Sequence, residues 1–248
     1  MDSKTISVQS LQRAFLLVEI LARHPAGLTL GELTLRSRLH KSTTHRLLGN
    51  LIALGYVRNR GVYMLTPRLF ELGCHVMEGR PGAEAARPLL RDLSARTGET
   101  AFLSVREGDE GLCVHKVESP TSNARAFSLG QRFPLYCTAM GKSMLAALPE
   151  QEVRAVWERL SVSAHTPRTI TRIGELLTDL RRVRAQGYAV SYGEYFPGVA
   201  SVGCALPSAD AAFSVCCPIG RLSAAKLAEM SAAVKAAREA FAALSHPL

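Results

Sequence analysis

The sequence predicts an α+β protein with a small helical N-terminal part and a larger C-terminal part built on an antiparallel sheet. Apolar residues recur at helical spacing as far as Gly55, whereas short β-favouring runs alternate with helical segments after Arg87. Charge divides the chain in a similar place. Residues 1–66 hold nine Lys or Arg against three acidic residues, a net +6, and residues 67–248 hold twenty-one against eighteen.

The composition limits the kind of protein. Of the 248 residues, 47% are apolar and 21% are charged, which is typical of a folded globular chain. The apolar runs are too short for a transmembrane helix, and the start "MDSKTISVQSLQRA" lacks the pattern of a signal peptide. We therefore expect a cytoplasmic protein with no membrane partner, whose six cysteines are reduced and mostly buried.

Two short helices are predicted first. Ser10 is the expected N-cap of the first helix, Pro25 and Gly27 end it, and its apolar stripe comprises Leu11, Ala14, Phe15, Val18, Leu21 and Ala22. The second helix begins at Thr29, where Glu32 three residues later completes a capping-box pattern.

A third helix and a hairpin complete the N-terminal part. A turn at residues 37–39 precedes a helix that runs from Lys41 to Leu54 and ends at Gly55. Two β-favouring runs then flank Asn59-Arg60-Gly61, which is a hairpin signal. This order of elements predicts a winged helix-turn-helix over residues 1–66.

Residues 67–82 are predicted to form a linker helix and hinge. Pro67 suits a first helical turn, and Leu69, Leu72 and Val76 give the helix an apolar stripe. The Gly-, Pro- and Ala-rich segment 79–88 is the expected hinge. Because a stripe between two domains needs a neighbour to cover it, we expect a second subunit there, in a homodimer or homotetramer.

Residues 83–248 are predicted to form a second domain of mixed structure. Helices are expected at "RPLLRDLSARTG", "CTAMGKSMLAAL", "PEQEVRAVWERL", "RIGELLTDLRRVRAQG" and "SAAKLAEMSAAVKAAREAFAAL". Strands are expected at "ETAFLSVRE", "GLCVHKVES", "ARAFSLG", "YAVSYGE", "VASVGCAL" and "AAFSVCCPI". The first two strands are expected to pair through a turn at residues 108–110.

The third helix has two faces of different chemistry. Its predicted buried face comprises Thr44, Leu47, Leu48, Leu51 and Ile52. In a helix-turn-helix the N-terminal part of this helix enters the major groove, where Arg pairs with guanine and hydroxyls reach bases or phosphates. The predicted contacts to double-stranded operator DNA are Arg36, Arg38, Lys41, Ser42, Thr43, His45, Arg46, Arg58 and Arg60.

A polar helix face can also be merely solvated, and for a lone helix that interpretation is the more common one. The concentration of positive charge, the spacing of the two helices and the basic hairpin together favour a polyanionic partner. Whether His45 touches a base or a phosphate depends on its charge state, and the sequence leaves both open.

These residues resemble a known family. "GLTLGELTLRSRLHKSTTHRLLGNLIALGYV" closely resembles the winged helix-turn-helix of the IclR-type transcriptional regulators, although the hairpin "NRGVYML" is shorter than usual. "LGQRFPLYCTAMGKSMLA", "TPRTIT", "RVRAQGYAVSYGE", "PGVASV" and "GRLS" follow in the family's order, so the likeness covers nearly the whole chain. It implies a DNA-binding dimer or dimer of dimers with a GAF-like C-terminal domain that binds a small metabolite.

The segment "YCTAMGKSMLA" predicts an anion site by itself. Thr138 can cap the following helix, which leaves the amides of Ala139, Met140 and Gly141 at the positive end of a helix dipole. The alternative is an ordinary capped helix with a glycine for packing. An organic acid is the ligand that the first interpretation predicts.

The resemblance adds further effector-binding positions, since related regulators use the same helix start and polar residues on three later strands. Carried over to this chain, and with Phe127 assigned to the same set, the positions are Phe127, Ser191, Tyr192, Glu194, Ser201, Ser214 and Cys216. Some members have acidic residues at positions 191 and 192, cysteine at 201 and serine at 216. A tyrosine in place of a carboxylate favours a larger or aromatic ligand, which is our hypothesis for this chain.

Two other classes of function compete with a regulator. An enzyme could use Cys137 as a nucleophile, since a thiol at a helix N-terminus has a lowered pKa, or a metal near Cys113 and His115. No partner or ligand spacing supports either, so we expect no catalytic residue, no metal and no cofactor. An architectural DNA-binding protein would leave the whole C-terminal domain without a role.

Overall fold

The computed structural model describes residues 8–78, 81–120, 126–208 and 210–244. It divides into two compact units, Met1–Gly79 and Arg80–Leu248. The first unit holds α1 (Gln9–Ala22), α2 (Leu30–Ser37), α3 (Lys41–Ala53), β1 (Val57–Asn59), β2 (Tyr63–Leu65) and α4 (Arg68–Glu78). The order helix, helix, turn, helix, hairpin is therefore confirmed.

The local signals of the first unit form as the sequence predicts. Thr29 Oγ1 accepts a hydrogen bond from the Glu32 amide, and the Glu32 carboxylate accepts one from the Thr29 amide at 2.8 Å. The hydrogen bonds from Thr29 lower the pKa of Glu32. Gly55 after α3 and Gly61 in the hairpin adopt φ values of +80° and +85°, which suit glycine.

The predictions for the first helix are partly wrong. Val8 precedes α1 without a side-chain cap, and Ser10 lies inside the helix. Leu17 and Leu21 are buried, whereas Leu11 is 53% and Phe15 57% exposed. The reason is that α1 has apolar residues on two faces, and only the face through Leu17 and Leu21 joins the core of the unit. Ala22 and, on α3, Ile52 are exposed as well.

The second unit contains a six-stranded antiparallel sheet between two layers of helices. Its helices are α5 (Pro81–Thr97), α6 (Ala139–Ala147), α7 (Glu150–Arg159), α8 (Ile173–Gln186) and α9 (Ala224–Ala243). Its strands are β3 (Thr100–Glu107), β4 (Glu110–Val117), β5 (Arg132–Pro134), β6 (Ala189–Tyr192), β7 (Val199–Ala205) and β8 (Ala211–Pro218), in the order β5-β4-β3-β8-β7-β6.

The two faces of this sheet differ in chemistry, as strand alternation requires. Ala101, Leu103 and Val105 of β3 pack with α5 and α9 in an apolar layer. Phe102 and the buried Ser104 belong to the other face, where Phe102 joins the layer of α6, α7 and α8. The serine side chains of the strands lie on the α6 side, whereas the buried Glu99 before β3 pairs with Arg221 and with Lys226 of α9.

Two sequence predictions fail in this unit. Residues 81–88 of the expected hinge are helical, because alanine-rich sequence favours a helix and Ala86 and Leu90 are buried in the core; Gly79 and Arg80 lie outside the described residues. The strand expected at "ARAFSLG" is absent from residues 126–130, where Phe127 is buried by aromatic packing and Gly130 adopts φ +75°. Residues 124 and 125 lie outside the described residues, and the strand forms at Arg132–Pro134 instead.

Within the part of the chain that the structure describes, no helix has the length and apolar character needed to cross a membrane.

Candidate DNA-binding surface and effector site

The first candidate site is the N-terminal half of α3 with the residues around it. On the inner face Thr44, Leu47, Leu48 and Leu51 are buried, as predicted. Thr43 is half-buried, and the other predicted contacts are exposed: Arg36, Arg38, Lys41, Ser42, His45, Arg46, Arg58 and Arg60. The helix therefore presents a polar, cationic face to solvent.

The start of α3 is held by a cap that the sequence analysis missed. His40 Nδ1 lies 3.4 Å from the Ser42 amide, which donates to it, and 2.7 Å from Ser42 Oγ. Histidine is not among the usual N-cap residues, so the pattern gave no signal. The cap fixes the first turn and orients the hydroxyl of Ser42.

The predicted DNA contacts are not held by acidic side chains of the described residues, although Arg36 lies near enough to Glu32 to lower the pKa of that carboxyl. Among the described residues, none of the predicted DNA contacts forms an ion pair, and the carboxylate of Glu32 is bound to Thr29. Arg38 turns the chain between α2 and α3 with φ +54°, a conformation that side chains other than glycine rarely adopt. Net positive charge on an exposed helix end is the footprint expected of a phosphate-binding surface.

The second candidate site lies beneath the start of α6, on the polar face of the large sheet. The strand register aligns Ser191, Ser201 and Cys216 in one row, and Gly203, Ser214 and Phe102 in the next. Ser104 is opposite Ala212 in a third row. Small polar side chains from four strands thus gather on one face, which groups most of the positions predicted from the resemblance.

Two glycines allow α6 to approach its neighbours closely. Thr138 Oγ1 accepts a hydrogen bond from the Gly141 amide at 3.1 Å, which confirms the predicted cap. A Cβ on Gly203 would lie 2.8 Å from the carbonyl carbon of Ala139, and one on Gly141 2.3 Å from Leu135 Cα. The first turn of α6 therefore lies directly on β7. On the neighbouring part of the same face, Ser104 Oγ of β3 donates to Met140 Sδ at 2.9 Å.

A buried ion cluster ties α6 to two other elements. Lys142 Nζ lies 2.7 Å from Glu194 Oε1 and 2.8 Å from Asp179 Oδ2, and only 1% of Lys142 is exposed. Burial raises the pKa of Glu194, Asp179 raises it further, and Lys142 opposes both. The predicted effector residue Glu194 is therefore committed to Lys142, which the sequence analysis missed because the two are far apart in the chain.

Aromatic rings surround Phe127, next to the polar face. Its ring stacks on Tyr195 at 5.6 Å and packs against Phe133 at 4.9 Å and Phe196 at 5.0 Å, measured between ring centres. Phe102, in the row of Ser214, meets it edge-on at 6.2 Å. Phe127 therefore lies beside the polar rows, and its role in effector binding stays a prediction.

Tyr192 does not join this group. It pairs with Ala200, whose side chain faces α5 and α9, and Tyr192 itself is 44% exposed. Since neighbouring residues of a strand point to opposite faces, Ser191 points toward α6 and Tyr192 cannot. The placement of Tyr192 in the effector site is therefore wrong, and Tyr192 gives no support to an aromatic ligand.

Cys137 lacks the properties of a nucleophile. It is fully buried, and burial, assisted by Glu194, raises its pKa to about 12. The lowered pKa considered from its place before a helix does not occur. Among the described residues no group of three His, Cys, Asp or Glu side chains could hold a metal ion.

Comparison with known proteins decides the family. A family of IclR helix-turn-helix domains matches residues 10–61, and the family "Bacterial transcriptional regulator IclR C-terminal" matches residues 74–243. The chain belongs to the IclR family. The transcriptional regulator KdgR of Escherichia coli is 35% identical over 240 residues, which covers 92% of this chain and 89% of KdgR.

Solved structures of IclR regulators share the fold. The IclR protein of Thermotoga maritima superposes with a TM-score of 0.80 at 28% identity, covering 95% of this chain and 98% of the other. An IclR homologue of Microbacterium hydrocarbonoxydans, crystallised with 4-hydroxybenzoate, gives 0.79 at 22% identity, with 94% and 99% covered. The chain is therefore a transcriptional regulator with a DNA-binding and an IclR C-terminal domain.

Proposed function

We propose that a small organic acid binds at the start of α6, beside the serine side chains of the sheet, and changes the affinity of α3 for operator DNA. The single observation that carries this is the division of polar chemistry in the second unit. The serine side chains of β3, β6, β7 and β8 gather on the α6 face of the sheet, whereas the residues of β3, β7 and β8 that face α5 and α9 are apolar side chains and cysteines. Ser104 and Ser191 have partners in Met140 Sδ and Cys137 O, whereas Ser214 Oγ has no nitrogen or oxygen partner among the described residues. A buried hydroxyl without a partner is costly, so we propose that a ligand group supplies one.

Arg36, Arg38, Arg58 and Arg60 are proposed to hold the DNA backbone, and the first turns of α3 to read the bases. An operator sequence is first selected with the protein from a library of randomised DNA duplexes. Fluorescence anisotropy then measures the affinity of the protein for that duplex. Arg58→Ala should weaken binding to every sequence and reduce the slope of log K against log salt by about 1. An unchanged slope would remove the hairpin from the interface.

An aromatic acid is the effector class that fits best. The capped start of α6 suits a carboxylate, Ser214 and Ser201 offer hydroxyls, and the rings around Phe127 offer apolar area. The homologue crystallised with 4-hydroxybenzoate supports this, although at its identity only the fold is shared. Calorimetry with benzoate, 4-hydroxybenzoate, acetate and glyoxylate tests the class, and binding of only the two-carbon acids would exclude it.

The effector assignment can be tested at one atom. Ser214 Oγ is buried, and no hydrogen-bonding nitrogen or oxygen partner is found for it among the described residues. Ser214→Ala should therefore weaken the binding of the acid that calorimetry identifies, while the free energy of unfolding stays nearly unchanged. Ser231→Ala, on α9, is the matched control and should alter neither.

We propose that a second copy covers the apolar groove of the first unit. The groove measures about 200 Å³ and is lined by side chains of α1, α3 and α4, among them the exposed Phe15 and Leu72. A contiguous exposed apolar surface on a globular unit marks an interface. Phe15→Glu and Leu72→Glu should dissociate the oligomer in sedimentation experiments, and Leu35→Glu, on α2 outside the groove, should not.

The proposal places the protein in the cytoplasm, where operator DNA is, and invokes no cofactor.

A further inference from the structure

A second cavity lies at the far end of α6, away from the effector site. It has a volume of about 220 Å³ and is lined by the ends of α6, α8 and β7 and by α9. Since α6 rises 1.5 Å per residue, about 12 Å separate its first residue from its last. The two sites share α6 but no lining residue.

Two arginines line this cavity, and a lysine lies beside it. Arg184 lines it and is held in place by the α6 end, since its Nε donates to Ala146 O at 2.8 Å and its Nη2 to Leu148 O at 2.9 Å. Arg238 lines the opposite side from α9. Lys235 lies one turn before Arg238, and its aliphatic side chain is next to the lining residue Gly187. Its Nζ lies 5.8 Å from the centre of the Tyr188 ring.

This arrangement costs stability in the absence of a ligand. Lys235 and Arg238 stand three residues apart on one helix face, where like charges repel. The acidic side chain of Glu239 lies near the same cations, because Glu239 and Arg238 both shift the pKa of Cys204 beside the cavity. Glu150 lies within electrostatic reach of Arg184, which lowers the pKa of Glu150. Two acids against three bases leave the pocket with a net positive charge.

We propose that this cavity binds a small anion through Arg184 and Arg238, with a carboxylate or phosphate group as the recognised chemistry. Guanidinium groups present parallel N–H donors that match the oxygens of both groups. The volume is below the roughly 300–1,000 Å³ of drug-sized ligand sites, so the ligand is a small metabolite or the charged end of a larger one. This site is separate from the proposed effector site and does not depend on it.

The experiment is calorimetric titration of the full chain at low salt with inorganic phosphate and with succinate. Saturable binding with a Kd of about 1 mM or tighter is expected for at least one of them. Arg238→Gln and Arg184→Gln should each weaken it by about fivefold or more. Arg181→Gln, an exposed arginine of α8 outside the cavity lining, is the matched control and should leave the Kd within about twofold.

Circular dichroism keeps the test independent of folding, because Arg184 also holds the end of α6. If Arg184→Gln unfolds, Arg238→Gln, at an exposed position, still decides the result. Tighter binding of phosphate would assign the site to phosphate groups, and tighter binding of succinate to carboxylates. No saturable binding of either probe, or an equal loss in Arg181→Gln, would overturn the proposal.

Discussion

The helices α3 and α6 contain similar residue types, but the lysine and glycine of α3 are exposed whereas those of α6 are buried. Each begins at a side-chain cap, His40 or Thr138, and each contains a lysine and a glycine. In α3 the lysine and the glycine face solvent, whereas residues 139–146 of α6 are all buried. The same residue types therefore serve a partner in one helix and the packing of the core in the other, and tertiary context makes the difference.

The lysines should show the largest contrast. Lys142→Met leaves Glu194 and Asp179 buried without their cation, so we expect the free energy of unfolding at pH 7 to fall by about 3–5 kcal/mol. Lys41→Met, on the exposed end of α3, should change it by less than about 0.5 kcal/mol. Urea unfolding measures both.

The pH dependence checks the cause of that loss. The pKa of Glu194 is raised in the folded state, so its effect on stability is most favourable below the ordinary value of 4.5 and worsens as the pH rises. Without Lys142 this dependence should steepen, and the gap between variant and wild type should narrow on acidification. A gap that stays constant with pH would mean that lost packing, and not buried charge, explains the variant.

The glycines should differ in sign. A Cβ on Gly141 would lie 2.3 Å from Leu135 Cα, so Gly141→Ala should destabilise the protein by about 1–3 kcal/mol. Nothing lies within 4 Å of a Cβ on Gly49, so Gly49→Ala should stabilise α3 by up to about 1 kcal/mol. Thermal unfolding compares them, and a shift in the same direction would refute the distinction.

The caps should show the smallest contrast. Thr138→Ala removes the 3.1 Å hydrogen bond that the Gly141 amide donates at a buried helix start. His40→Ala removes the 3.4 Å hydrogen bond that the Ser42 amide donates at the surface. Replacing an N-cap residue by alanine lowers the free energy of unfolding by about 0.5–2 kcal/mol. We expect the loss for Thr138→Ala near the upper end of this range and the loss for His40→Ala near the lower end. The reverse order in urea unfolding would contradict this.

Local patterns predicted the first unit well, because its elements depend on short-range signals. The capping box at Thr29, the glycine after α3 and the hairpin turn are each set by a few adjacent residues. The error on α1 arises because it has two apolar faces, and sequence periodicity cannot say which one the core covers. Leu11 and Phe15 therefore looked like core residues but are exposed.

The candidate effector site was only partly predictable, because its residues meet through the register of the sheet. Thr138 was found from its own helix, and Ser201 and Ser214 through the family resemblance. Tyr192 was assigned to the wrong face of the sheet, because it follows Ser191 directly and neighbouring strand residues point to opposite faces. Lys142 was missed because its partners are 37 and 52 residues away in the chain. Alternation along β6 was the available signal that could have excluded Tyr192.

The most direct test of the account is the affinity of Arg46→Ala for the selected operator, with Arg23→Ala as the matched control. Arg46 is exposed on the proposed reading face of α3, and Arg23 is exposed at the end of α1. We expect Arg46→Ala to lose about 1–3 kcal/mol of binding free energy, roughly five- to 150-fold in Kd. Arg23→Ala should bind as the wild type does, and equal affinities for both variants would contradict the assignment of α3 to DNA.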